Sequence, residues 1–102
     1  MASQRKRICI LGSTGSIGVN TLRVIDDFSD RFEVVGLSAH NSATELAAQA
    51  RFRGVKLICI GDEKAIDVPD DTTVFRGQDG LEALVEASQP DILVVATVGF
   101  AG

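Results

Sequence analysis

Three glycines follow the first apolar run of the chain at three-residue spacing, in the sequence ICILGSTGSIG that ends at Gly18. Gly12 would allow a sharp turn out of a strand, and Gly15 would let the backbone approach a phosphate closely. Gly18 would allow the following helix to pack tightly on a sheet. Backbone N–H groups and a helix N-terminus arranged in this way bind a dinucleotide pyrophosphate. The spacing therefore predicts a nucleotide-binding loop, the alternative being a purely structural strand–turn–helix.

The residues around the glycines favour the binding interpretation. Thr14 and Ser16 add hydroxyl groups beside the expected phosphates, and Ser16 is a predicted helix N-cap. Apolar residues follow at roughly helical spacing, namely Ile17, Leu22, Ile25 and Phe28. A buried strand before the turn and an amphipathic helix after it are the context that such a loop requires.

Composition and charge narrow the class of protein. A chain of 102 residues with 45% hydrophobic and 24% charged residues is typical of one globular domain at most. The net charge is −4, and nine carboxylates between Asp62 and Asp91 face only Lys64 and Arg76. There is no Trp or Tyr to stack on bases, so the composition disfavours nucleic-acid binding. The basic segment Arg5–Arg7 is interpreted as a solvated end.

The sequence contains no signal for a membrane or a metal site. No apolar run approaches the roughly 18 residues of a membrane span, and the segment before the first strand is too short for a signal peptide. We therefore expect a cytoplasmic protein without membrane contact. Cys9 and Cys59 each lie in an apolar, strand-like run. They are interpreted as small buried hydrophobic residues that stay reduced, rather than as a disulfide or a metal pair.

Strand-like and helix-like patterns alternate along the chain, which predicts an α/β fold, a Rossmann-like parallel sheet flanked by helices. Ser42 and Glu45 predict a capping box that opens the second helix, and Gly54 predicts its end. The remaining predicted elements are strands at 8–11, 32–37, 55–60, 72–75 and 91–97, a short helix at 62–67 and a helix at 80–88. The unbroken apolar character of the last strand predicts that it is covered on both faces.

The right-handed crossover rule predicts where the crevice lies. It places the second and third strands on one side of the first strand and the last strand on the other side. The glycine-rich turn then lies opposite Thr97, Val98 and Gly99. Gly99 and Gly102 could mark a second close approach to the cofactor or a plain loop.

The end of the second strand indicates which dinucleotide binds. NAD-binding units usually carry Asp or Glu there, to bind the ribose 2′-hydroxyl. This chain reads Ala39, His40, Asn41 and Ser42, without a carboxylate that would repel a 2′-phosphate, so it favours NADP. His40, Asn41 and Ser42 could donate hydrogen bonds to that phosphate, His40 best when protonated. Simple solvation of His40 in a loop is the alternative.

Four segments carry a resemblance to a known family. The sequences ILGSTGSIG, NTLRVI, EVVGLSA and VATVGFAG resemble the N-terminal part of the 1-deoxy-D-xylulose 5-phosphate reductoisomerases. The resemblance implies that Thr14, Gly15, Ser16 and Ile17 contact the phosphates and ribose of NADPH. At His40, the loop departs from the family's pattern of a small residue, then a basic or polar one, then asparagine. The resemblance therefore does not tell how the 2′-phosphate is bound.

The resemblance also implies what a complete enzyme would do. It would rearrange and reduce 1-deoxy-D-xylulose 5-phosphate to 2-C-methyl-D-erythritol 4-phosphate in non-mevalonate isoprenoid synthesis, with NADPH and a magnesium or manganese ion, as a homodimer. Residues 1–102 would be its NADPH-binding domain, inactive alone, with the metal ligands and the sugar-phosphate site beyond Gly102. Two alternatives remain at this point: an NADP-binding domain of another dehydrogenase, and a dinucleotide-sensing module without catalysis.

Overall fold

A computed structural model describes residues 5–62 and 65–96 of the chain. Strands and helices alternate through these residues, as the sequence pattern predicts. The elements are β1 (Lys6–Leu11), α1 (Ser16–Asp27), β2 (Phe32–Ala39), α2 (Ala43–Arg53), β3 (Leu57–Ile60), β4 (Thr73–Arg76), α3 (Gly77–Ser88) and β5 (Ile92–Val95).

The strands form one parallel sheet in the order β4-β3-β2-β1-β5. This order confirms the Rossmann-like α/β fold and the placement of the second and third strands on the opposite side of β1 from the last strand. The winding reverses between β1 and β5. In open α/β sheets, ligands bind outside the carboxyl ends of the strands near such a reversal.

Alternating residues of the strands build two apolar layers. Ile10 and Leu37 face one layer, in which Leu22 of α1 and Leu46 of α2 are buried. The opposite layer is formed by α3 together with Cys9, Leu11, Leu57, Cys59 and Phe75. The helices on both faces cover a sheet whose central strands are buried and apolar toward their carboxyl ends, which is the arrangement expected of a parallel sheet.

Of two predicted helix N-caps, Ser16 was wrong, and Ser42 is confirmed in position but not in its capping interaction. Ser16 is the first residue of α1, and Gly15 is its N-cap. Ser42 is the N-cap of α2, but its ψ of 67° departs from the extended geometry of a capping serine and its side chain makes no capping hydrogen bond. The predicted capping box with Glu45 is therefore absent. The predicted end of α2 is confirmed, because Gly54 adopts the left-handed conformation at φ 68°.

The third helix and the segment before β4 also differ from the prediction. The helix begins at Gly77 rather than at Gly80. Gly80 lies inside the helix, where a Cβ atom would come 3.1 Å from Cys59 Sγ, so the glycine there allows close packing on the sheet. The described part of 62–67 contains no helix. Ile66 and Val68 both pack on the core from this irregular segment. Alternate packing of this kind is typical of extended chain.

β5 is an exposed edge strand within the described residues, so the prediction that it is covered on both faces was wrong for them. Ile92, Leu93 and Val95 are 40%, 44% and 62% exposed. The strand pairs with β1 on one side only. Thr97, the predicted last residue of this strand, lies outside the described residues.

The basic segment Arg5–Arg7, which runs into the start of β1, is not only a solvated end, and this corrects the sequence interpretation. Arg7 Nη2 donates to the carbonyl of Ser88 at 2.6 Å, and Arg7 Nε donates to that of Gln89 at 3.2 Å. These carbonyls lie at the C-terminus of α3, where a cation is favoured by the helix dipole. Arg7 thus connects β1 to the end of α3.

Cys9 and Cys59 are buried free thiols, as the sequence predicts. Burial raises the pKa of Cys59 to about 11, although the positive charge of Arg76 acts in the opposite direction. Burial also raises the pKa of Cys9, against a hydrogen bond to Ser88. Both thiols are therefore neutral at physiological pH.

Within the described residues, no helix is both long and apolar enough to cross a bilayer.

Of the described glycines, Gly18 in the first turn of α1 has the least room for a Cβ atom. A Cβ atom there would lie 2.3 Å from the carbonyl oxygen of Gly12 and 2.6 Å from Ser13 Cα. We expect Gly18→Ala to lower the free energy of unfolding by about 1–3 kcal/mol, because two backbone segments would have to move apart. Urea unfolding at constant m value measures the loss. Gly15→Ser is the control and should change stability by less than about 0.5 kcal/mol; equal losses would contradict close packing at Gly18.

The buried thiols predict a specific pH dependence. At pH 8, alkylation of Cys9 and Cys59, read by peptide mass spectrometry, should be slow in the native protein and fast after unfolding.

Because the native pKa of Cys59 is about 11 and the usual value is 9.0, the unfolded state loses this proton first as the pH rises. The contribution of Cys59 to stability is thus present below pH 9 and disappears between pH 9 and 11. Cys59→Ala should remove the loss of unfolding free energy between pH 9 and 11, measured by urea unfolding across that range. Fast alkylation of the native protein at pH 8 would refute the prediction that both thiols are buried and neutral.

Candidate dinucleotide-binding site

A cavity of about 130 Å³ lies at the carboxyl edge of the sheet. The chain leaves β1 at Leu11, β2 at Ala39 and β3 at Ile60 beside it, and α3 begins there at Gly77. The lining residues come from all of these elements: Leu11, Gly12, Ser38, Ala39, His40, Cys59, Gly61, Gly77, Gln78, Leu81 and Val95. The cavity therefore lies where the fold is expected to bind a ligand.

The turn after β1 is bound to the end of β2. Gly12 takes a positive φ of 86°, which glycine adopts without strain. The N–H groups of Gly12 and Ser13 both donate to the carbonyl of Ser38, at 3.0 and 2.8 Å, and Gly12 N also donates to Ser38 Oγ at 3.1 Å. These two N–H groups are thus used inside the protein. Gly12 shapes the turn, and its N–H does not point to a ligand.

A pair of reciprocal hydrogen bonds holds the same turn from α2. Ser13 Oγ donates to Gln49 Oε1 at 2.7 Å, while Gln49 Nε2 donates to the carbonyl of Ser13 at 2.9 Å. Ser13 is fully buried and Gln49 half-buried. The sequence reasoning assigned no role to Ser13, Ser38 or Gln49. The available signal was a glutamine between Leu46 and Ala50, on the apolar face of a helix.

Gly15 leaves open space at the N-terminus of α1. It is exposed, its φ of −76° and ψ of 172° are accessible to any residue, and among the described residues a Cβ atom would have one neighbour within 4 Å, Gly12 O at 3.8 Å. Nothing in the described part of the fold requires glycine here. The Gly15 N–H donates to the carbonyl of Gly12 at 3.4 Å. The first turn of α1 has no side-chain cap and no acidic residue, so within the described residues the N–H groups of Ser16 and Ile17 are open to an anion. Thr14 is half-buried and Ile17 is half exposed beside them.

The loop after β2 contributes a second group of polar atoms. Ala39 is buried, His40 and Asn41 are exposed, and Ser42 is half-buried. His40 lies over Gly61 at the end of β3, where a Cβ atom would come 2.6 Å from His40 Nδ1. Gly61, which sequence reasoning missed, therefore makes room for the imidazole.

Among the described residues, the positive charge at this edge comes from Arg76, the last residue of β4. Arg76 Nη1 donates to the carbonyl of Asp62 at 3.1 Å. The two residues form a shallow depression with Gly61 and Gly77, next to the main cavity. Sequence reasoning counted Arg76 only in the charge balance, because the sequence does not show that β4 lies beside β3.

Some predicted features lie outside the described residues. These are Thr97, Val98, Gly99 and Gly102, expected opposite the glycine-rich turn. Among the residues that the structure describes, no group of three or more His, Cys, Asp or Glu side chains could hold a metal ion.

Comparisons with known proteins agree with the resemblance seen in the sequence. The pattern of the 1-deoxy-D-xylulose 5-phosphate reductoisomerase family matches residues 8–102. The enzyme of that name from Mycobacterium marinum is 43% identical over 99% of this chain and 25% of its own length. That from Thermoanaerobacter sp. is 38% identical over 95% of this chain and 26% of its own. The chain thus spans about a quarter of the curated relatives that it matches.

Solved structures resemble this chain in fold as well as in sequence. A DOX-P reductoisomerase crystallised with magnesium superposes with a TM-score of 0.81 at 28% identity, covering 97% of this chain and 26% of that one. A second structure, in complex with NADPH, fosmidomycin and magnesium, gives a TM-score of 0.79 at 28% identity, covering 94% and 25%. The fold, the match over residues 8–102 and the close relatives lead to one conclusion. The chain belongs to the 1-deoxy-D-xylulose 5-phosphate reductoisomerase family.

Proposed function

We propose that residues 1–102 are the NADPH-binding portion of a 1-deoxy-D-xylulose 5-phosphate reductoisomerase. The observation that carries the proposal is the open space over Gly15, which neither the backbone conformation nor the packing of the described residues explains. It lies at a helix N-terminus in a fold similar to that of a relative that binds NADPH. A phosphate fits both the missing Cβ and the N–H groups of Ser16 and Ile17, which have no partner among the described residues.

The turn would bind the pyrophosphate through its second half. Gly12 and Ser13 are held rigidly by Ser38 and Gln49, so the backbone from Thr14 onward is positioned before a ligand arrives. The N–H groups of Ser16 and Ile17 and the hydroxyl groups of Thr14 and Ser16 are the proposed donors. Gly15, whose N–H donates to the carbonyl of Gly12 at 3.4 Å, would contribute the space for the phosphate. Gly18 contributes indirectly, because its missing Cβ lets α1 pack closely against the turn.

The loop after β2 would bind the adenosine end of the cofactor. Ala39, His40, Asn41 and Ser42 offer hydrogen-bond donors without a carboxylate, and a carboxylate here would repel a 2′-phosphate. His40 is exposed beside the cavity and stacks over Gly61. This arrangement supports NADPH over NADH.

The rest of the reaction belongs to the longer protein. It would rearrange the carbon skeleton of the sugar phosphate and reduce the product to 2-C-methyl-D-erythritol 4-phosphate, for which NADPH supplies the hydride. A magnesium or manganese ion would be held by residues beyond this chain, so this chain alone would be inactive. A cytoplasmic homodimer acting in isoprenoid synthesis is the corresponding proposal for the whole enzyme.

The alternatives that the sequence left open were another NADP-linked dehydrogenase and a non-catalytic sensor. No observation favours either one, whereas the family pattern extends over nearly the whole chain.

Calorimetric titration of the full-length protein with NADPH tests the site at Gly15. We expect Gly15→Val to weaken binding by at least about tenfold, because the side chain would occupy the space for the phosphate. Ala87→Val, which adds the same side chain at an exposed position near the far end of α3, should bind as the parent does. Unfolding midpoints check that both variants fold. Unchanged binding by a folded Gly15→Val protein would refute the pyrophosphate site.

His40→Ala tests the adenosine end separately. We expect a greater loss of affinity for NADPH than for NADH, because only NADPH carries the 2′-phosphate to which His40 would donate. The measurement is the ratio of the two dissociation constants in parent and variant. Equal losses for both cofactors would exclude His40 from the 2′-phosphate site and leave the pyrophosphate site unaffected.

A further inference from the structure

Helix α1 carries a second apolar stripe that the described residues leave exposed. Its buried face consists of Gly18, Leu22 and Ile25. A surface helix of a globular protein normally has one such face and is polar elsewhere. In α1, a further set of residues lies at the spacing i, i+4, i+7 and i+11 and is apolar apart from a threonine: Ile17, Thr21, Val24 and Phe28. The three apolar members are all exposed.

The stripe lies on the flank of α1 that faces away from α2. Asp26 marks the opposite flank, because its carboxylate pairs with Arg53 of α2 at 2.7 Å. At about 100° per residue, Val24 and Phe28 lie on the other side of the buried face from Asp26. The two neighbours of β1 in the sheet are β2 and β5. Because α2 lies on the β2 side of α1, the stripe lies on the β5 side.

The open side of β5 continues this apolar surface. Side chains alternate along a strand, and Val94 packs in the same apolar layer as Leu22 and Ile25. Ile92, two residues before Val94, is therefore on the α1 face of the sheet, and it is exposed. The stripe and Ile92 border one groove beside α1 at the edge of the sheet, which we call the α1–β5 groove.

The α1–β5 groove can be covered without leaving a polar group unpaired. The one hydroxyl group of the stripe belongs to Thr21, and its Oγ1 donates to the carbonyl of Ile17 at 2.7 Å. The charged side chains of α1 lie outside the stripe, namely Arg23, Asp26 and Asp27. Apolar surface without free donors or charges is stabilised by burial against another apolar element.

A crossover from β5 to a further parallel strand would not fill this groove. Crossovers in parallel sheets are right-handed. Helix α3 connects β4 to β5 on the far side of the sheet, and it lies on the face opposite α1. A helix continuing in the same direction would lie on the α3 face as well, over Leu93 and Val95. The α1–β5 groove therefore needs a different occupant.

Chain length and area favour a segment of the same polypeptide over a second copy. The chain spans about a quarter of its curated relatives, so most of a family member of that length lies outside it. The exposed apolar area of the groove is on the order of 400 Å², about half of the roughly 800 Å² that each partner of a stable complex buries. A tethered segment needs less area, because its docking costs less translational freedom.

We propose that the α1–β5 groove is the docking site of an amphipathic helix from the polypeptide after residue 102 of the full-length protein. The spacing of the stripe is the one by which helices pack on each other. A helix with its axis about 8–10 Å from α1 would lie above β5 and extend the layer formed by α1 and α2. Its apolar face would cover Val24, Phe28 and Ile92. The inference rests on the part of the proposed function that makes this chain a portion of a longer enzyme.

Thiol labelling of the full-length protein tests whether the groove is covered. Val24→Cys should react with a maleimide at least about tenfold more slowly than Arg23→Cys, the matched control on the polar face of the same helix. Peptide mass spectrometry assigns the label to each position, and unfolding midpoints check that both variants fold. Equally fast labelling of the two folded variants would overturn the proposal.

Photo-cross-linking identifies the occupant. Phe28 is replaced with p-benzoylphenylalanine in the full-length protein, which is irradiated and separated on a denaturing gel. We expect a band at the mass of one chain and a cross-linked peptide from beyond residue 102 with apolar residues at helical spacing. A band at twice that mass would indicate a second copy and overturn the proposal. A cross-link within residues 1–102, or none at all, would overturn it as well.

Neither readout uses the cofactor, so this proposal and the NADPH-binding role fail separately. A full-length protein that protects Val24→Cys but does not bind NADPH would refute the NADPH-binding role and leave the docking site supported. A protein that binds NADPH but labels rapidly at Val24→Cys would overturn only the docking site.

Discussion

The carbonyl group of Ser38 is the point on which the site depends. This carbonyl lies near the end of β2 and accepts hydrogen bonds from the N–H groups of Gly12 and Ser13 in the turn after β1. The turn therefore cannot move without breaking the hydrogen bonds that connect it to β2. Gln49 holds Ser13 from α2, and Gly18 brings α1 against the same turn. A rigid turn loses little conformational freedom when it binds a ligand, which would be the physical advantage of this turn for the proposed phosphate site.

The three glycines of this turn have different structural roles. Gly12 meets a backbone requirement, since its φ is positive, and Gly18 meets a packing requirement. Gly15 meets neither among the described residues. Two glycines thus build the turn, and the third leaves space above it. The first turn of α1 has no side-chain cap and no acidic residue, so no side chain of that turn competes with a ligand for its leading N–H groups.

Electrostatics distinguish the two edges of the sheet. The amino edge carries arginines with structural partners, such as Arg7 at the end of α3 and Arg53, which pairs with Asp26 at 2.7 Å. The cavity at the carboxyl edge is lined by glycines, small polar residues and apolar side chains, with His40 after the central strand β2 and Arg76 at the end of the outer strand β4. An edge with few carboxylates among its described residues would not repel an anionic cofactor strongly.

The sequence by itself determined the fold class and the family, because these depend on local patterns: apolar strands, helical periodicity and glycine spacing. The nucleotide-binding role of the glycine-rich loop stays a prediction. The sequence also predicted the buried thiols and the order of the central strands. The predictions from the sequence that were wrong concerned the helix caps, a helix at 62–67 and the burial of β5 on both faces. At these places tertiary contacts override local preference. Only the tertiary structure decided that Ser38 and Gln49 hold the turn, that Gly61 makes room for His40, and that Arg76 lies beside them. These residues are far apart in sequence, and parallel strand pairing brings them to one edge.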